Sequence, residues 1–88
     1  MVIVQADRFN HSRIATIVVM PLTSNLRLAE MPGNTLLPRA ATGLPKDCVA
    51  NASLILAIDR HLMTELAGAI PRPLMKRVEE GMKLVLGI

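Results

Sequence analysis

Short apolar runs alternate with polar breaks along this chain until about Pro73, where the period changes. Met1 to Gln5 predicts a strand that begins at the first residue, and Ile14 to Leu22 predicts a second. Within the second, Ile17 to Met20 is an apolar run rich in β-branched residues, which fit a pleated, buried surface. Pro21 cannot donate to a sheet ladder, so that strand should end or lie at an edge there. Asn34 to Pro38 is strand-like, and Cys48 to Ile58 predicts a long strand region bent near Asn51. Between them, Asp7 to Arg13 is a polar loop. Leu26 to Pro32 has alternating character and reads as a short strand or a loop. Arg39 to Lys46 is a loop broken by Gly43 and Pro45. Asp59 is placed to cap one helical turn over Arg60 to Met63, and Thr64 to Ile70 reads as a short strand or connector.

After Pro73 the apolar positions Leu74, Val78, Met82 and Val85 are spaced by four, four and three, which is one face of a helix. Pro71 and Pro73 suit its entry, since a proline in the first turn loses no helical hydrogen bond. Gly81 is a mild penalty inside it, about 1 kcal/mol relative to Ala, and Gly87 suits its end. The expected role is to cover the open end of a barrel; binding a partner is the second reading. Several short strands followed by one helix predict a single domain over residues 1–88, a small, mostly antiparallel β-barrel with a terminal helix.

Composition sharpens this picture. The chain has 88 residues, of which 51% are hydrophobic, yet Phe9 is its one aromatic residue, so the core must be aliphatic. A chain this short buries roughly 60–65% of its unfolded surface. The apolar surplus therefore points to burial against another subunit, and a homodimer is the expected assembly. No apolar run approaches the roughly 18 residues that would span a bilayer, and the N-terminus lacks the layout of a signal peptide. No membrane partner and a cytoplasmic location are therefore expected. Cys48 stands alone beside Val49 and reads as a small buried hydrophobe. Neither His11 nor His61 has a partner at ligand spacing, so no metal and no cofactor are expected.

The net charge of +3 is unevenly placed. Arg8, Arg13, Arg27, Arg39 and Lys46 face only Glu30 between residues 8 and 46. Such a stretch suits a polyanion, although solvated loop charge explains it as well. With Phe9 as the one possible stacking platform, any grip on RNA must rest on charge, backbone groups and shape. Thr23, Ser24 and Asn25, just past the Pro21 break, are presented on a rim where a phosphate-contacting hydroxyl would be placed. The plainer reading is a turn in which Ser24 and Asn25 cap their own backbone.

Four motifs in register extend these readings: Gln5-Ala6-Asp7-Arg8-Phe9-Asn10, Pro21-Leu22-Thr23-Ser24-Asn25, Met31-Pro32-Gly33-Asn34, and Leu44-Pro45-Lys46-Asp47-Cys48-Val49-Ala50-Asn51. Together with the terminal helix they resemble the MazF/PemK family of bacterial toxin endoribonucleases, from about Val2 to Ile88. The resemblance implies an SH3-like barrel, incomplete at its N-terminus, that works as a homodimer with a cognate antitoxin protein as partner. It also implies metal-independent cleavage of single-stranded RNA by attack of the ribose 2′-hydroxyl on the adjacent phosphate. The catalytic threonine of the family carries over to Thr23. With the basic loop, the RNA-contact candidates are Arg8, Asn10, Arg13, Ser24, Asn25 and Ser53. The family's catalytic arginine, which precedes a proline upstream of the strand that here begins at Met1, does not carry over. Weak or absent cleavage is therefore expected, and a chain that only titrates the antitoxin is the alternative. Leu54 stands where the family commonly has a substrate-touching glutamine, and Leu54 cannot hydrogen-bond a base.

Overall fold

The computed structural model describes residues 1–4, 15–62 and 70–88. Two three-stranded antiparallel sheets form its body. The strands are β1 (Val2–Ile3), β2 (Thr16–Met20), β3 (Leu22–Thr23), β4 (Thr35–Leu37), β5 (Cys48–Ala50) and β6 (Leu56–Asp59). The first sheet has the order β1-β2-β6 and the second β3-β5-β4. The fold is thus mainly β with a C-terminal helix, and the described strands do not close into a barrel.

Pro21 is where the chain leaves the first sheet for the second. The predicted second strand is split there: Thr16 to Met20 pairs with Val2, Ile3 and β6, while Leu22 and Thr23 pair with Ala50 and Val49. A residue without an N–H can stand at such a junction because neither ladder needs it as a donor. The long strand expected over Cys48 to Ile58 is likewise two strands in different sheets. Asn51 to Ile55 carries the crossing as a tight 3₁₀ turn over Ala52–Leu54, with the Asn51 side chain accepting the Ser53 N–H at 3.2 Å. An Asn side chain that satisfies a backbone donor offers the chain an alternative to the ladder, which is why the bend falls where it does.

Leu26 to Pro32 is neither strand nor open loop. Residues Leu26–Glu30 form a 3₁₀ turn capped by Asn25, whose Oδ1 accepts the Arg27 N–H at 3.3 Å. The small-residue stretch after β4 holds a short helix, α1 (Arg39–Thr42), whose first N–H donates to Asp47 Oδ1 at 2.8 Å and which stops at Gly43 with φ 77°. The helical turn after Asp59 is present as a 3₁₀ turn over Arg60–Leu62. The expected loop Asp7 to Arg13 and, except Ile70, the expected strand or connector Thr64 to Ile70 lie outside the described residues.

The core is aliphatic. Val2, Met20, Leu37, Ala50, Ala52 and Val78 form one buried cluster, with Leu22, Ile55, Leu74 and Met82 packed on it. Cys48 is half-buried, with its thiol 3.6 Å from the Lys46 carbonyl. The terminal helix α2 (Arg72–Leu86) lays the predicted stripe on the second sheet, and Val78 is fully buried under it. Full burial of such a side chain is worth roughly 1.5–3 kcal/mol. Gly87 closes the helix in the left-handed conformation, donating to the Lys83 carbonyl.

Gly81 is more than a tolerated weakness. It is buried against Gly33, and a Cβ built on Gly81 would overlap the Gly33 carbonyl oxygen. Gly33 has φ +87°, and a Cβ there would come within 2.6 Å of Val85 Cγ2. The turn before β4 and the helix thus meet backbone to backbone through two glycines. Gly81→Ala should gain about 1 kcal/mol of helix propensity and lose about 1–3 kcal/mol to overpacking. We expect a lower melting temperature than wild type, read by circular dichroism; a higher one would show that the helix and turn can separate freely.

Candidate functional site

β3 is short: Pro21 stands before its inner end, and side chains claim its outer end. At its outer end Thr23 Oγ1 accepts the Asn25 N–H at 3.1 Å, and Asn25 Oδ1 then accepts the Arg27 N–H. A turn is therefore present, but its caps are Thr23 and Asn25, and Ser24 caps nothing among the described residues. It does not consume the chemistry of these side chains. Thr23 is used as an acceptor, so its O–H stays available to donate. Ser24 and the Asn25 amide Nδ2 likewise donate to nothing else among the described residues. Thr23 is half-buried and Ser24 and Asn25 are exposed, so three donors sit together on a rim with a fixed backbone beneath them. Donors without competing partners are what phosphate oxygens require.

Ser53 lies apart from this group. Thr23 faces Val49 in the ladder, whereas Asn51 donates its N–H to the Pro21 carbonyl at 3.0 Å. The Ser53 turn therefore begins two ladder positions from Thr23, roughly 7 Å along the strands. An oligonucleotide, rather than one phosphate, is needed to touch both. Ser53 is exposed, and Leu54 beside it is 56% exposed. Arg8, Asn10 and Arg13 lie outside the described residues. Of the other basic residues named from the sequence, Arg27, Arg39 and Lys46 are exposed. Arg27 carries no ion pair among the described residues and stands two positions past Asn25. Asp47, exposed beside Lys46 and bonded to the Arg39 N–H, tempers the charge of that end of the stretch.

Asn34 was read from the sequence as the end of the Met31-Pro32-Gly33-Asn34 motif and the start of a strand-like segment, and it does more than that. Its Nδ2 donates to the Leu28 carbonyl at 2.9 Å, and its Oδ1 accepts the Ala52 N–H at 3.0 Å. Nothing in the Pro-Gly-Asn spelling announces a side chain that reaches 18 positions along the chain.

A model of the family described as PemK-like, MazF-like toxin of type II toxin-antitoxin system matches residues 1–86. The chain belongs to this family. It is 39% identical over 88 residues to an endoribonuclease MazF2 of Mycobacterium bovis, covering all of this chain and 77% of that protein. An endoribonuclease MazF6 of Mycobacterium tuberculosis matches with the same identity and coverage. Among solved structures, the Mycobacterium tuberculosis toxin MazF-mt6 superposes with a TM-score of 0.86 over 99% of this chain and 84% of that one. At 14% identity that likeness speaks for the fold. Membership makes the protein a toxin of a type II toxin–antitoxin system and implies an antitoxin partner and an RNA substrate. No helix among the described residues is long and apolar enough to cross a membrane.

Proposed function

We propose that residues 1–88 act as a single toxin domain that cleaves single-stranded RNA at the Thr23 rim. The observation that carries this reading is the fixed set of three free donors at Thr23, Ser24 and Asn25 in a chain whose curated relatives are endoribonucleases. The 2′-oxygen attacks the adjacent phosphorus as its proton passes to water. The bond to the 5′-oxygen breaks, and that oxygen takes up a proton from water. The products are a 2′,3′-cyclic phosphate and a 5′-hydroxyl. Thr23 donates to a non-bridging phosphate oxygen as charge builds on the phosphorane. A neutral hydroxyl is a poor acid or base on its own. Cationic help falls to Arg8, Arg13 and Arg27, which has no ion pair among the described residues, since a guanidinium binds such charge with two charge-assisted bonds. Ser24, Asn25 and Asn10 hold flanking phosphate and sugar groups, and Ser53 contacts the strand farther along. The role of a non-catalytic antitoxin trap is less favoured, because it leaves the free donors unused.

The same reading includes a homodimer. The helix stripe is buried at Val78 but emerges at Val85, 41% exposed, next to Leu84 at 64% and Leu86 at 60%. Ile88 at 86% and Leu36 at 43% continue the exposed apolar surface at that end of the molecule. Light scattering across a concentration series should give twice the chain mass, and Leu84→Glu should shift the species toward monomer. A monomer at tens of micromolar would overturn the assembly.

Cleavage is tested with a labelled single-stranded RNA of mixed sequence. Thr23→Val keeps the β-branched shape and removes the hydroxyl. It should lower kcat/KM by about 10²-fold, the range seen when one donor to developing charge is lost, with the fold unchanged by circular dichroism. Product ends should be 2′,3′-cyclic phosphate, and EDTA should have no effect. Wild-type rate in Thr23→Val would remove Thr23 from the site.

A further inference from the structure

The geometry points to Asn34 as a positioning residue that fixes the Thr23–Asn25 rim and the Ser53 turn in one register, so that a single RNA strand meets both. This inference rests on the proposed cleavage of RNA at that rim. Each surface belongs to a separate short turn, and short 3₁₀ turns have poor hydrogen-bond geometry and little rigidity of their own. The Leu26–Glu30 turn follows directly from Asn25, whose carbonyl accepts the Leu28 N–H at 3.1 Å. The Leu28 carbonyl then receives two donors, the Met31 N–H at 3.1 Å and Asn34 Nδ2 at 2.9 Å. The other end of the same amide receives the Ala52 N–H, one residue before Ser53.

Asn suits this place because one planar group carries a donor and an acceptor in fixed opposition. Only one orientation of the amide sets Nδ2 on the carbonyl and Oδ1 on the N–H. The Asn51 N–H bond to the Pro21 carbonyl closes the circuit on the far side. The two turns are thus joined twice, once through the ladder and once through Asn34. Asn34 is half-buried, and its own N–H is held by the Met31 carbonyl at 3.1 Å, so the bridging side chain starts from a fixed backbone. Gly33, pinned against Gly81 of α2, anchors the residue before it. Misplacement by about 1 Å far from the chemistry can cost on the order of 10²-fold in rate, so a bridge of this kind matters beyond its contribution to stability.

The test is a double-mutant cycle on cleavage and on affinity for a 2′-O-methyl RNA that cannot be cut. Asn34→Ala, Ser53→Ala and the double variant are compared with wild type, well below each melting temperature. In the wild-type background Ser53→Ala should weaken RNA affinity several-fold, and in the Asn34→Ala background it should have almost no further effect. Asn34→Ala itself should lower kcat about 10-fold while the protein stays folded. Asn34→Asp keeps the acceptor for Ala52 and loses the donor to Leu28. Hydrogen exchange at the Ala52 amide should therefore stay slow in Asn34→Asp and speed up in Asn34→Ala, while kcat falls in both. Independent, multiplicative effects of Asn34→Ala and Ser53→Ala would overturn the positioning role and leave Asn34 as a stability residue. A wild-type chain that cleaves but is insensitive to Ser53→Ala would also overturn it, with the Thr23 reading intact. A wild-type chain that neither binds nor cleaves RNA would bring down both.

Discussion

One hydrogen bond, from the Asn51 N–H to the Pro21 carbonyl, joins the two places where the chain changes sheet. Pro21 brings no donor, so the ladder of the first sheet cannot run on through it. Its carbonyl remains a strong acceptor, and Asn51 supplies the donor before its own side chain turns the backbone toward β6. Everything at the site is hung from this point. Thr23 is two residues past Pro21, and Ser53 is two residues past Asn51. The separation of the two candidate contact groups is set by ladder geometry, and their relative orientation is set by what ties the turns together.

Most of the elements were legible in the sequence because they carry a local cause, whereas the short helix over Arg39–Thr42 was expected to be a loop. Pro21, Gly43, Pro45 and Asn51 break the chain where the structure breaks it, and the spacing from Leu74 to Val85 is the helix. The missed features have non-local causes. Alternation over Leu26 to Pro32 matches a strand as well as a turn, and the capping by Asn25 decides between them only when the chain is folded. The split of Cys48 to Ile58 depends on which sheet each half joins. Gly81 looked like a weak point in a helix, because its partner Gly33 is far away in sequence. At the site, the donor-bearing residues Thr23, Ser24 and Asn25 could be named from their position after a proline. The reach of Asn34 could not, since a side-chain amide carries no sequence mark of its partners.

The helix links stability to the proposed assembly. Its middle is fixed by Val78 in the core and by the glycine contact, which leaves no room for side chains between helix and turn. Its end is apolar and exposed, with Leu84, Val85 and Leu86 outside the core. A small aliphatic domain without aromatic anchors in its described core has little stability to spare. Burying this end in a second copy would relieve the exposed apolar surface and rigidify the element against which the Gly33–Asn34 turn is packed. Fold and the register of the site, and with them the proposed homodimer, meet at one helix.

In the proposed complex RNA lies on the Thr23–Arg27 rim. Backbone amide NMR of the isotope-labelled protein, titrated with a 2′-O-methyl single-stranded oligonucleotide, tests this placement. The largest shift changes are expected at Thr23 to Arg27, a second group at Ala52 to Leu54, and none that grow with RNA at Leu84 to Ile88. Changes confined to the end of α2, or an unperturbed Thr23 rim at saturating RNA, would contradict it.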